Sequence, residues 1–207
     1  MSEVSSSRLP VTLRALGHRN FRLFFSGQLV SLTGTWMQTA AEAWLVYRLT
    51  HSAWWLGVIG FASQFPVFVF APLGGITADR YNRHKVVIWT QIFAMVFDSA
   101  LAVLTLAKVV TVHQVLILAV LSAIVSAFDI PARQSFLVDM VGKEDLMNAI
   151  ALNSSMFNGA RIIGPSIAAI LIAKVGEGWC FAINGVSYFA VLIGLFMMNV
   201  TRPMALA

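Results

Sequence analysis

GGITADRYNRHKVV, residues 74–87, separates two long apolar runs. Behind a glycine pair it sets one acid, Asp79, and then Arg80, Arg83, His84 and Lys85. A charged patch this dense stands out in a chain that is 58% hydrophobic and only 11% charged. Soluble domains carry about a quarter charged residues. The natural solvent of this chain is therefore lipid, and the patch reads as a loop at a membrane surface.

Outward from the patch, a membrane helix needs about 20 mostly apolar residues. Six stretches qualify: 21–47, 53–78, 86–107, 114–138, 147–173 and 179–200. The expected fold is an all-α membrane protein whose six transmembrane helices form one bundle over 21–200. Residues 1–20 are expected to form a cytoplasmic arm and 201–207 the start of a cytoplasmic linker. The segments between spans, such as RLTHS and VGKEDL, are too short for a soluble domain. The start is not expected to act as a cleavable leader, because its arginines precede a span too long for one.

Charge sets direction. With the N-terminus inside, nine Lys and Arg fall on cytoplasmic segments: Arg8, Arg14, Arg19, Arg22, Arg80, Arg83, Lys85, Lys143 and Arg202. Three fall outside: Arg48, Lys108 and Lys174. This bias places both termini in the cytoplasm. The net charge of +5 is explained by orientation. It does not suggest a nucleic-acid partner, since no aromatic residues interleave with the basic ones. Cys180 is alone, and no histidines pair at metal-ligand spacing, so neither a metal nor a cofactor is expected.

A span that only anchors should be apolar all round. The first carries Gln28, Ser31, Thr35, Gln38 and Glu42 at steps of 3 and 4, one stripe of a helix. The fourth repeats this with Ser122, Ser126, Asp129 and Arg133, and the fifth with Ser154, Asn158, Arg161 and Pro165. The third and sixth show only Asp98, Asn184 and Ser187, and are expected at the periphery. The second is intermediate, with Ser63, Gln64, Pro66 and Pro72. Two explanations stand side by side. The stripes either bond helix to helix, at roughly 1 kcal/mol or less per bond, or line a cavity. Charges favour the cavity, because each costs roughly 2.5–3.5 kcal/mol at a helix centre. Asp129 and Arg133 can share that cost at i, i+4. Arg161 awaits an acid on another helix or an anionic substrate. Glu42 and Asp98 are candidates for proton coupling, with simple wetting and a buried polar contact as their respective alternatives.

The patch that opened this section resembles the signature loop of the major facilitator superfamily. Gly75, Asp79, Arg80 and Arg83 fall on that pattern, His84 stands where it has a second basic residue, and Lys85 follows. Asn82 stands where the pattern has Gly, and Asn tolerates a left-handed turn, so the bend is expected to survive. Gly75 is expected to let helices approach closely. The resemblance implies a conformational latch: Asp79 docks on a helix N-terminus of a second bundle, and Arg83 pairs with an acid at the inner end of span 4, for which Asp139 is best placed. Residues 128–169 and the stretch LGHRNFRLFFSGQLVSLTGTWMQ are similar to the branch of bacterial facilitators that holds the enterobactin exporter. Gly164 and Pro165 resemble the helix-kinking antiporter motif of drug exporters, with Ala160, Ala168 and Ala169 in place of its other glycines.

The resemblance implies two six-helix bundles, each a 3 + 3 inverted repeat, with the substrate site between them. One bundle is accounted for here. Its partner is then a second half of the same chain or a second copy. The implied function is proton-coupled export of a small amphipathic molecule (a siderophore, drug or metabolite) across the bacterial inner membrane, not catalysis. Gln38, Asp129, Arg133, Asn158 and Arg161 are the expected substrate wall. A six-helix permease subunit driven by a separate ATPase, or a membrane fragment without transport activity, is the alternative.

Overall fold

The computed structural model of the chain describes residues 11–199. Residues 1–10 of the expected arm and the expected linker 201–207 lie outside them. Among the described residues, a short 3-10 helix, Val11–Gly17, precedes six α-helices. These are α1 Arg19–Thr50, α2 Ala53–Arg80, α3 Arg83–Leu106, α4 Val112–Val141, α5 Leu146–Val175 and α6 Glu177–Phe196.

Five of them, α2 to α6, are long and apolar enough to cross a membrane. The expectation of six spans is met in length by all six helices and in apolarity by five. At 32 residues α1 has length to spare. Its polar stripe dilutes it, and the packing explains why it carries one. Helix α1 runs between α6 and α5, so Gln28, Ser31 and Gln38 are buried against protein.

The other main pairings are α2 along α4, and α3 against both α6 and α4. Two apolar clusters hold the ends of the bundle. One joins Phe21, Phe24, Val87, Phe136 and Leu195; the other joins Leu45, Val46, Ile59, Leu101 and Phe181. Buried polar side chains occupy the middle. The outside is greasy: Phe68 is 81% and Ile162 71% exposed, as suits surfaces meant for lipid or for another bundle.

Local chemistry sets the helix ends. Thr111 and Gln114 form a capping box at the start of α4. Gly142 and Gly176 close α4 and α5 with positive φ. Asn82 differs from expectation. Its backbone is extended (φ −64°, ψ 109°), and its side chain accepts from the Lys85 N–H at 3.2 Å. Asn therefore serves as an N-cap, replacing the conformational freedom of Gly with a hydrogen bond. The 3-10 helix is pinned to the start of α5. His18 Nε2 lies 2.8 Å and Arg14 Nε 3.4 Å from the Asp145 carboxylate, and Ala15 N–H donates to Asn148 Oδ1 at 2.9 Å.

A second correction concerns the glycine pair. A Cβ on Gly75 would meet nothing within 4 Å. One on Gly74 would sit 2.0 Å from the carbonyl oxygen of Ala127. The residue that lets α2 approach α4 is thus Gly74, because it is the one turned toward α4. Gly164 has the same role between α5 and α1, where a Cβ would fall 2.7 Å from Trp36 Cβ and 2.8 Å from Met37 N. Ala160 and Ala168 continue this buried ridge on either side, and Pro165 lies within an unbroken α5.

Candidate functional site

Four groups of side chains carry the chemistry. The first is at the end of the bundle where α2 meets α3. Arg83 Nη1 donates to both Asp139 oxygens, at 3.0 and 3.3 Å, and Arg83 Nε donates to the Ala78 carbonyl at 3.2 Å. The guanidinium thus joins the ends of α2, α3 and α4. His84 turns the other way, its Nε2 2.9 Å from the Leu195 carbonyl of α6. Asp79 and Arg80 are exposed and have no ion-pair partner among the described residues. Lys85 is also exposed; its backbone N–H supplies the α3 cap.

The second group surrounds Asp98, which is 6% exposed. Its Oδ1 accepts from Gln38 Nε2 at 2.7 Å. Its Oδ2 accepts from Asn184 Nδ2 at 2.9 Å and from the Tyr188 hydroxyl at 2.8 Å. Asn184 Nδ2 also donates to Gln38 Oε1 at 2.8 Å, and Ser187 Oγ donates to the Asn184 carbonyl at 2.7 Å. Helices α1, α3 and α6 are joined through one carboxylate. The third and sixth spans are therefore not the unadorned periphery expected from their sequences. On α6, Asn184, Ser187 and Tyr188 form a stripe at i, i+3, i+4, in which the tyrosine ring conceals a polar hydroxyl. On α3, Gln91, Asp98 and Thr105 recur every seven residues, a spacing too sparse to register as a stripe.

The third group lies one to two turns away. Asp129 forms an ion pair with Arg133. Its Oδ1 also accepts from Thr90 Oγ1 at 2.7 Å and Gln91 Nε2 at 3.1 Å. Arg133 Nη1 donates to Gln28 Oε1 at 3.0 Å. The pair foreseen within α4 is present, but Thr90, Gln91 and Gln28 come from α3 and α1, and only the tertiary fold brings them there. An ion pair whose carboxylate accepts from further donors on a neighbouring helix can persist in a low-dielectric interior.

The fourth group is on an exposed face. Asn158 donates to Ser154 of its own helix at 2.9 Å. Arg161 lies over the Trp36 ring, 5.4 Å from its centroid, and Phe157 meets the same ring edge-on. The residues expected to share one substrate wall thus divide. Gln38, Asp129 and Arg133 are inside the bundle; Asn158 and Arg161 are on its outer face.

Two cavities penetrate the interior. One, of about 180 Å³, is bordered by Glu42 and Asp98. The other, of about 100 Å³, is bordered by Asp129 and Arg133. Glu42 is partly buried and makes no hydrogen bond or ion pair among the described residues. Arg48 and Glu177 form an ion pair that joins α1 to α6 at the far end of the bundle.

Residues 11–205 match the transmembrane secretion effector family. The chain is 29% identical over 176 residues to the staphyloferrin A transporter of Staphylococcus aureus, covering 84% of this chain and 44% of that one. It is 24% identical over 186 residues to the enterobactin exporter EntS of Shigella boydii, covering 90% and 45%. The EntS protein of Escherichia coli O1:K1 matches equally well. The chain spans about half the length of these relatives. They are transporters, not enzymes. Together with the apolar helices and the facilitator loop, the match over nearly all of the chain means that it belongs to the transmembrane secretion effector family of the major facilitator superfamily and is a multi-pass membrane protein.

Proposed function

We propose that the chain is the N-terminal bundle of a secondary active transporter. It exports a small amphipathic molecule in exchange for protons, by alternating access across the bacterial inner membrane, with both termini cytoplasmic. A siderophore is the first cargo class to test, since the relatives named above carry siderophores in their names. The observation that carries the coupling is Asp98. A carboxylate held by three donors borders a cavity inside the bundle. Ionisable groups at such depth are costly and mark ion pathways. Glu42, on the same cavity and without a partner, is the second proton-carrying candidate.

The helix pairings support an inverted 3 + 3 repeat. Exchanging α1, α2 and α3 for α4, α5 and α6 turns the α2–α4 contact into α5–α1, and α1–α6 into α4–α3. Both members of each set are major contacts. The exposed face bearing Asn158, Arg161 and Trp36 would meet the second bundle and form half of the substrate wall. That bundle is either the rest of a longer chain or a second copy. Around the loop after α2, the Arg83–Asp139 pair holds one bundle together while Asp79 reaches for the other, a latch for the outward-facing state. Gly164 and Pro165 let α5 stay close to α1 as the bundles rock.

The test uses the full-length transporter in vesicles whose lumen stands for the cell exterior, with enterobactin and staphyloferrin A as probes. An acidic lumen should drive accumulation, and a protonophore should abolish it. Accumulation that survives the protonophore and requires ATP would replace this reading with an ATP-driven permease.

A further inference from the structure

The two interior cavities adjoin one another: Thr35, Ala94, Ser126 and Tyr188 border both. Around the smaller one, three buried polar atoms lack any partner: Gln28 Nε2, Gln91 Oε1 and Arg133 Nε. Gln28 is 2% and Gln91 4% exposed, so neither side chain finds its missing partner on the open surface. Buried water typically makes two to four hydrogen bonds and needs about 10–15 Å³. A polar cavity of about 100 Å³ with two free donors and one free acceptor meets both needs.

The junction is built from hydroxyls. Tyr188 donates to Asp98 at 2.8 Å and also borders the smaller cavity. Ser126 donates to the Ser122 carbonyl at 2.9 Å and Thr35 to the Ser31 carbonyl at 3.1 Å, which leaves the oxygen of each able to accept. The charged and titratable groups bordering the cavities are Glu42, Asp98, Asp129, Arg133 and Tyr188. From α2 comes only Ser63, and from α5 nothing.

We propose that water fills both cavities as one chain, and that the Tyr188 hydroxyl joins it into a proton route within this bundle, from Glu42 and Asp98 to Asp129. The route rests on the proton-coupled reading given above. The transfer balances. Once Asp98 is protonated, the Tyr188 hydroxyl turns its hydrogen from Asp98 to water in the smaller cavity; Asp98 then gives its proton to the Tyr188 oxygen while Tyr188 releases its own to that water. That water protonates Asp129, so Asp98 becomes a carboxylate, Tyr188 is unchanged, and Arg133 loses its counter-charge. An alternating cycle can use that last change, because a partly buried guanidinium without its partner favours rearrangement.

Two measurements test the route in the full-length transporter. Tyr188→Phe keeps the ring and removes the oxygen. Proton-driven accumulation should fall by about tenfold or more, as for loss of a positioned proton-transfer group. Counterflow, which moves no net proton, should persist and so reports intact folding and binding. Ser126→Ala, a smaller change at the same junction, should shift proton-driven transport in the same direction. Pulsed hydroxyl-radical footprinting of the wild type should label Tyr188, although it is only 6% exposed. Unchanged proton-driven transport in Tyr188→Phe, or an unlabelled Tyr188, overturns the route. A wild type indifferent to the proton gradient overturns the coupling reading itself, and the route falls with it.

Discussion

Two neighbouring glycines make a controlled experiment. Gly74 and Gly75 share a helix, a solvent and a sequence context, yet an added methyl group meets different worlds at each. At Gly74 it would lie 2.0 Å from Ala127 O, 2.9 Å from Ala127 C and 3.2 Å from Phe128 Cα. All three are backbone atoms, which no side-chain rotation can move. The methyl group must retreat by about 1 Å or more to reach van der Waals contact, so α2 must part from α4 along one of the main interfaces of the bundle. At Gly75 nothing lies within 4 Å. Replacing Gly by Ala in a helix gains about 1 kcal/mol in either place, and that gain cancels in the comparison. Overpacking costs about 1–3 kcal/mol. Gly74→Ala should therefore be less stable than Gly75→Ala by about 1–3 kcal/mol, which is roughly 2–12 °C in melting temperature for a chain of this size. Thermal unfolding in nanodiscs, followed by tryptophan fluorescence, measures it. Equal melting temperatures, or a lower one for Gly75→Ala, would refute the assignment of the close approach to Gly74.

Three further outcomes are expected. Asp129→Leu leaves Arg133, a quarter of its side chain exposed, without its carboxylate, and should cost about 1–3 kcal/mol; the double variant Asp129→Leu, Arg133→Met should recover most of that in the same unfolding assay. Asn184→Leu removes donors from both Asp98 and Gln38, and should cost about 1–3 kcal/mol. Asn158→Leu, on the exposed face, should stay within about 0.5 kcal/mol; equal losses would mean that the Asp98 network is not held as described. Arg83→Gln breaks a partly exposed ion pair worth about 1 kcal/mol or less. It should barely move the melting temperature but, if the proposed latch operates, should change the inward-to-outward ratio of the two-bundle transporter proposed above, read by cysteine accessibility; an unchanged ratio would remove Arg83 from that proposal.

Much of the architecture was legible in the chain because lipid enforces it. A bilayer demands long apolar runs and backbone groups satisfied within each helix, so helix number and approximate ends follow from composition alone. The Arg83–Asp139 and Asp129–Arg133 pairs were also legible, the first from a loop pattern and the second from i, i+4 spacing. Other features depend on which face of each helix meets which neighbour. The rotation of α2 about its axis made Gly74, not Gly75, the point of approach. The packing of α6 between α1 and α3 brought Asn184 and Tyr188 onto Asp98, although 86 and 90 residues separate them in the chain. Periodicity along one helix reports that a polar face exists, but it carries no information about the side chain opposite. A lone aspartate on a greasy helix therefore became the centre of a buried network only when three helices closed around it, because in an apolar interior its oxygens must find their donors within the protein.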